Sequence, residues 1–171
     1  MEFFEVVKKR RSIRAFISRP IEENKIKQIL EAANAAPSAG NLQAYKIFLV
    51  QDEKRKKDLA LASLAQSFVA EAPIVLVFCA DPEASGRKYG KRGRSLYSIQ
   101  DATIAAAYAQ LAATALGLAS CWVGAFDDEE VLKVLGNPEG LLPIAIIPIG
   151  YPGEEPKTTS RKKLNELVQK L

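Results

Sequence analysis

Three arginines and a serine lie within five residues near the start of the chain, in the run Arg10-Arg11-Ser12-Ile13-Arg14. Arginine presents a planar set of donors that stays charged at any cellular pH, and this set matches the oxygens of a phosphate group. In an extended segment alternate side chains share one side, so Arg10, Ser12 and Arg14 would face the same ligand. The run predicts an anion site with a phosphorylated occupant, although a short basic run alone is also typical of solvated surface.

Histidine is absent from the 171 residues. This absence excludes Ser-His-Asp and Cys-His catalysis and removes the commonest transition-metal ligand, so no metal site is expected. Cys79 and Cys121 lie far apart without a CxxC pairing, which favours structural thiols in a reducing compartment. A bound organic cofactor would supply chemistry without acid or base groups of the protein.

Composition and charge indicate the class of protein. A hydrophobic share of 48% and a charged share of 26% fit one compact domain over residues 1–171. No apolar stretch reaches the roughly 20 residues of a membrane span, and no signal-peptide core is present, so a cytoplasmic protein without a membrane partner is expected. The net charge of +4 is modest, and its three basic clusters leave a nucleic-acid surface open as an alternative.

Periodicity and turn residues divide the chain into helices and strands. Helices are predicted over residues 2–9, 22–36, 54–71, 98–116 and 127–135, and strands over residues 45–50, 73–80, 119–126 and 142–149. The continuous apolar run 74–79 predicts the centre of the sheet. Prolines favour an edge position for strand 142–149, which Gly150-Tyr151-Pro152 would end. Residues 81–95 are predicted to form a mobile exposed loop, with attraction of an anionic nicotinamide phosphate or substrate by its basic run 87–94 as the alternative. Residues 157–171 are predicted to form a short helix or an extended arm.

The segment 98–116 is the longest predicted helix, and its alanines leave it apolar nearly all round. Ile104, Tyr108, Leu111 and Ala115 share one face. Small side chains let other helices approach closely, so this helix is expected to be buried on all sides. It belongs either to the core of one chain or to the centre of a subunit interface.

Four segments in a fixed order resemble the FMN-dependent nitroreductase family, including its short microbial members. They are residues 10–14, Ala36-Pro37-Ser38-Ala39-Gly40-Asn41-Leu42-Gln43-Ala44-Tyr45, residues 117–124, and Gly150-Tyr151-Pro152 with Arg161 behind it. The resemblance implies an α+β, nitroreductase-like fold with a mixed, largely antiparallel sheet flanked by helices. It also implies an intertwined homodimer with two FMN sites at the subunit interface, where the alanine-rich helix finds its partner.

On the phosphate side of the flavin, the resemblance assigns Arg10 and Ser12 to the phosphate itself. Arg11 would lie beside them and Arg14 nearer the ring. Arg161 matches the late phosphate-binding arginine of the family. Lys162 would add positive charge at the same place.

On the ring side, the resemblance assigns a loop that reaches the flavin from the other subunit, with Pro37, Ser38, Asn41 and Gln43 as its contacts. Gly124, beside Val123, matches the strand end whose backbone N–H points at flavin N5. Many family members carry glutamate there, so this chain departs from that version. Gln66 is a further candidate for a polar flavin contact, whereas Trp122 is expected to be core.

The resulting hypothesis is a ping-pong oxidoreductase with FMN as its cofactor. NADH or NADPH gives a hydride to flavin N5, and a small acceptor such as a nitroaromatic or a quinone then takes the electrons. No protein side chain is assigned as catalytic, and no nucleic-acid partner is expected. The alternatives are a flavin- or nucleotide-binding module without NAD(P)H turnover, a specialised flavin-modifying enzyme, or a basic nucleic-acid-binding domain.

Overall fold

An antiparallel β-sheet with helices packed on its faces forms the centre of the molecule in the computed structural model, which describes residues 2–156 and 158–171. The strands are β1 (Phe16–Ile17), β2 (Tyr45–Val50), β3 (Ile74–Ala80), β4 (Ala119–Ser120) and β5 (Leu142–Pro152). Their order is β1-β5-β3-β2, and β4 also pairs with β5. All of these pairs are antiparallel, which confirms the predicted α+β class.

The helices cover both faces of this sheet. They are α1 (Phe3–Lys9), α2 (Glu23–Asn34), α3 (Glu53–Ala62), α4 (Phe68–Glu71), α5 (Pro82–Arg92), α6 (Ser98–Ala115), α7 (Asp128–Val134) and α8 (Leu164–Leu167). Helices α2 and α6 share one apolar cluster with β3 and β5, and α3, α4 and α7 share a second cluster on the opposite face. Every residue of β3 is buried, which confirms its predicted place in the sheet centre. Within the described residues, no helix is long and apolar enough to cross a membrane.

Strand β5 lies inside the sheet, so its predicted edge position is wrong. It pairs with β3 on one side and with β4 on the other. The ladder tolerates Pro143 because the β3–β5 register shifts between Phe78 and Cys79, beside the Cys79–Pro143 pair, and a bulge accommodates a missing donor. The predicted stop at residues 150–152 is also wrong, since β1 extends the pairing to Pro152.

Residues 82–95 are helical apart from a break at Gly90, whose φ is 56°, which corrects the predicted mobile loop. Asp81 caps α5 by accepting a hydrogen bond from Ala84 N at 2.9 Å, and Pro82 occupies the first turn, as is common at helix starts. A π-helical turn, Gly93–Tyr97, then leads into α6. A Cβ at Gly93 would lie 2.5 Å from the Ser85 carbonyl oxygen, so glycine here allows the two turns to pack closely.

Two further predicted elements are shorter than expected. The predicted helix 54–71 is interrupted after Ala62, because Leu64 and Ala65 adopt left-handed φ values of 56° and 59°. The predicted strand 119–126 consists of the two-residue β4 and an isolated bridge between Val123 and Ile146.

Helix α6 is buried on one face and open on the other in the single chain. Its alanines pack into the core at positions 102, 105, 106, 109 and 113, all of which are fully buried. On the opposite face Tyr108 is 39% exposed and Ala115 is exposed. The expected burial on all sides is therefore not met within one chain.

Candidate functional site

Three of the four sequence segments that carry the resemblance run side by side. Ser12 forms a parallel bridge with Ser120, and Ile13 N donates to Ser120 O at 3.1 Å. Gly153 N donates to Ala15 O at 2.8 Å. Because Ile13 is buried in the core, the side chains on either side of it, Ser12 and Arg14, face outward.

A cavity of about 570 Å³ opens where these segments meet. Its lining comprises Arg10, Arg11, Ser12, Arg14, Glu154, Glu155, Pro156, Thr159 and Arg161. We call it the arginine cavity. It joins the N-terminal cluster to Arg161 from the far end of the chain, whereas Lys162 is exposed and does not line it.

The arginine cavity carries an excess of positive charge, because its lining holds four arginines and the two carboxylates of Glu154 and Glu155. Burial, followed by the charges of Arg161 and Arg11, lowers the pKa of Arg10. None of the four arginines forms an ion pair with a carboxylate in residues 2–156 and 158–171. Glu154 instead accepts a hydrogen bond from the Arg14 backbone N–H at 2.6 Å. A polyvalent anion would relieve this repulsion and occupy the free donors.

Arg11 also shapes the wall of the arginine cavity. Its Nη1 donates to Lys8 O at 2.6 Å and to Arg10 O at 2.8 Å, and so satisfies carbonyls at the end of α1. Cys121 lies behind the same wall and is buried. Burial raises the pKa of its thiol despite the opposing influence of Arg14, Ser12 and Arg10, which leaves it unsuited to act as a nucleophile.

The loop 37–43 lies apart from the arginine cavity. Asn41 and Gln43 adopt left-handed φ values of 56° and 47°. Gln43 Nε2 donates to Asn34 O at 3.1 Å and to Asn34 Oδ1 at 2.9 Å, so its amide is engaged within the chain. Pro37 and Ser38 line a separate cavity of about 490 Å³, which we call the loop cavity. The remaining lining residues are Ala39, Tyr97, Gln100, Asp101, Thr103 and Ile104.

Asp101 holds this loop in place, and sequence reasoning missed it. The residue is buried on α6. Its Oδ1 accepts from Ala39 N at 2.9 Å and its Oδ2 from Ala44 N at 3.3 Å. A buried carboxylate needs such partners, and a single carboxylate within an alanine-rich helix was the available signal.

Gly124 is exposed at the end of the strand-like segment that begins with β4. Its N–H donates no hydrogen bond to the part of the chain that the structure describes, whereas Val123 N and O both bond to Ile146 at 3.0 Å. Gln66 Nε2 donates to Ser63 O at 2.8 Å and to Ala125 O at 3.4 Å. Gln66 thereby supports the turn beside Gly124 from within the chain.

Trp122 was expected to belong to the core. Its side chain is half-buried and packs against the main apolar cluster. A Cβ at Gly124 would lie 3.3 Å from its Nε1. Glycine at position 124 therefore leaves the backbone N–H open while the indole fills the space beside it.

Comparison with known proteins identifies the family. The family model described as "Nitroreductase family" matches residues 7–71 and 60–151, which is most of the chain. The chain belongs to the nitroreductase family. The resemblance drawn from the four sequence segments is thereby confirmed, and the solved structures that are similar to the chain share its fold.

Individual relatives of this nitroreductase-family chain carry names that refer to flavin and nicotinamide chemistry. It is 34% identical to a "Putative NADH dehydrogenase/NAD(P)H nitroreductase" of Archaeoglobus fulgidus over 90% of this chain and 87% of the relative. It is 30% identical to an "FMN reductase [NAD(P)H]" of Bacillus subtilis over 84% of this chain and 63% of the relative. The solved structure of an "FMN-dependent Nitroreductase" from Clostridium difficile matches with a TM-score of 0.80 and 32% identity, over 92% of this chain and 91% of that one.

Proposed function

We propose that the chain is an FMN-dependent oxidoreductase that takes a hydride from NADH or NADPH. The electrons then pass to a small acceptor such as a nitroaromatic or a quinone by a ping-pong mechanism. The observation that carries this proposal is the excess of unpaired arginines in the arginine cavity, in a chain whose relatives are named FMN reductase and NAD(P)H nitroreductase. We further propose that residues 1–171 act as one FMN-binding domain in the cytoplasm, where the free thiols of Cys79 and Cys121 stay reduced.

The donor set of the arginine cavity fits the phosphate of FMN. Arg10, Ser12 and Arg161 offer charged and neutral donors around one space, which suits a phosphate dianion. Arg11 lies beside them and supports the Arg10 backbone. Arg14, held through its backbone N–H by Glu154, directs positive charge toward the pyrimidine edge of the flavin. Lys162 follows Arg161 in the chain and would add charge without lining the cavity.

On the ring side of the site, we expect backbone groups rather than side chains to contact the flavin. When bound, FMN supplies the chemistry by accepting and returning a hydride at its N5 atom. Gly124 offers an unblocked N–H toward that atom, and Val123 is fixed in the sheet by its two bonds to Ile146. Gln66 keeps a supporting role here, because its amide already bonds to the carbonyls of Ser63 and Ala125.

We propose a homodimer with FMN at the subunit interface. The open face of α6 and the loop 37–43 lie away from the arginine cavity of the same chain, so a second copy is needed to bring Pro37, Ser38 and Asn41 to the flavin. Gln43 would act by fixing the loop to α2 rather than by contact. Exposed apolar side chains on α1 and α8, including Phe4 at 83% and Leu164 at 77% exposure, supply further surface for that copy.

Purified protein tests this function directly. It should bind FMN with a yellow spectrum, lose that colour on addition of NADPH or NADH, and regain it with a nitroaromatic or a quinone. Bound FMN that stays oxidised with both donors would favour the alternative of a flavin-binding module or a specialised flavin-modifying enzyme. Colourless protein that takes up no FMN and binds RNA with steep salt dependence would contradict the proposal.

A further inference from the structure

A compact basic hairpin borders the loop cavity and is not used by the FMN site. It comprises residues 82–97, which form α5 and the π-helical turn. Five basic residues against one carboxylate lie in this stretch, an excess as large as the net charge of +4 of the whole chain. Such a concentration of charge on one exposed element attracts anionic ligands.

The basic hairpin is rigidly built. Arg94 forms a bidentate pair with Glu83, with bonds of 2.7 Å and 3.0 Å, and its side chain lies over Gly86. The rings of Tyr89 and Tyr97 meet edge to face with centroids 5.2 Å apart. Because Glu83 is committed to Arg94, the hairpin keeps no carboxylate to neutralise its other cations.

Two of these cations contact the loop 37–43 or a residue that lines the loop cavity. A Cβ added to Gly40 would lie 2.7 Å from Lys88 Nζ, so the ammonium group sits against the loop. Arg92 Nε donates to Tyr97 Oη at 3.0 Å, and Tyr97 lines the loop cavity together with Pro37 and Ser38. Neither cation forms an ion pair with any carboxylate among residues 2–156 and 158–171.

We propose that the basic hairpin binds a phosphate group of the dinucleotide donor, with Lys88 as its main contact and Arg92 beside it. This inference rests on the proposed function, because it places the hairpin beside the flavin that the loop reaches. The arginine cavity holds the phosphate of the cofactor, and the hairpin provides a second, separate anion contact for the substrate. The phosphate comes either from the 2′-position, present only in NADPH, or from the pyrophosphate that both donors share.

Steady-state kinetics of the FMN-loaded enzyme test the assignment. Lys88→Gln should raise KM for NADPH about tenfold with kcat unchanged, since it removes a hydrogen bond to a charged group. Lys88→Arg should restore the KM, and Lys57→Gln, which removes an exposed charge on α3, should leave it unchanged. A rise for NADPH alone assigns the contact to the 2′-phosphate, and an equal rise for NADH assigns it to the pyrophosphate.

Calorimetry measures the binding of the oxidised dinucleotides NADP⁺ and NAD⁺ to the holoenzyme. Lys88→Gln should weaken the binding of each dinucleotide whose reduced form shows a raised KM, and Lys57→Gln should leave the binding of both unchanged. An unchanged KM for both donors in Lys88→Gln would overturn the inference, as would an equal change in Lys57→Gln. Failure of the proposed function is a different result, in which the wild-type protein binds no FMN or is bleached by neither donor.

Discussion

At the scale of single residues, Arg161 repels the other arginines of the arginine cavity, and it would attract an anion bound there. Its charge helps to lower the pKa of the half-buried Arg10. We therefore expect Arg161→Ala to weaken FMN binding about tenfold or more, the loss that removal of a charged hydrogen bond produces. The same substitution should leave the thermal midpoint of the FMN-free protein unchanged or slightly higher.

Fluorescence titration with FMN and thermal unfolding with and without FMN measure the two effects. Arg55→Ala is the matched control, because Arg55 is exposed on α3 and makes one long bond of 3.4 Å to Val134 O. A parallel loss of FMN affinity and of the thermal stability of the FMN-free protein would show that Arg161 is structural instead.

Residue types in the sequence identified the charged part of the candidate site but not the polar part. Arg10 was selected because three arginines and a serine lie within five residues, and Arg161 because the resemblance to the family assigns it to the phosphate. Gln43 and Gln66 were selected as polar contacts to the flavin, but their side-chain amides donate to nearby backbone carbonyls instead. The sequence could not distinguish these uses, since the bonding of an amide depends on which backbone groups the fold leaves unpaired. Asp101 was missed for the same reason.

At the scale of elements, a polar cluster joins the start of α2 to the end of β5. Tyr151 Oη donates to Glu22 Oε2 at 2.6 Å and accepts from Lys25 Nζ at 2.8 Å. The hydrogen bond from Tyr151 is the main reason that the pKa of Glu22 falls from 4.5 to about 2. A lowered pKa in the folded state stabilises the fold above pH 4.5, and this contribution is lost as the pH falls toward 2.

Tyr151→Phe should therefore lower the thermal midpoint at neutral pH, and the difference from wild type should shrink as the pH falls from 4.5 toward 2. Phenylalanine keeps the ring under Arg19, whose guanidinium lies 4.2 Å from the ring centroid, so only the hydroxyl is tested. Thermal unfolding across this pH range measures the effect. A difference that stays constant with pH would contradict the assigned role of Glu22.

Elements were predictable where the local signals agreed and unpredictable where packing overrode them. Strand β3 could be predicted as a buried strand because its apolar run contains no glycine, proline or charged residue. The basic hairpin was predicted to be a loop because its glycines disfavour helix, yet Gly86 and Gly93 are needed for its close packing. Strand β5 was predicted at an edge because Pro143 lacks a donor, and only the neighbouring bulge reveals how the interior tolerates it.

At the scale of the whole molecule, apolar surface remains open on several elements that are far apart in sequence. Phe4 on α1, Tyr108 on α6 and Leu167 on α8 are all substantially exposed. Apolar side chains gathered into one patch mark an interaction surface, and the proposed homodimer takes these three as parts of one such surface. The proposed homodimer would cover them and would also bring the loop 37–43 of one copy to the arginine cavity of the other.

Tyr108→Glu tests this assembly, because Tyr108 is 39% exposed at the middle of the open face of α6. A carboxylate buried at an interface without a partner costs several kcal/mol, so the variant should be monomeric while keeping its helical circular dichroism. Leu61→Glu is the control, because α3 packs on the face of the sheet opposite to α6, so a charge at this exposed position should leave the dimer intact. Sedimentation and FMN titration are measured together, because a monomer lacks the loop from the second copy and should bind FMN more weakly. A folded monomer with full FMN affinity would show that each chain builds its site alone.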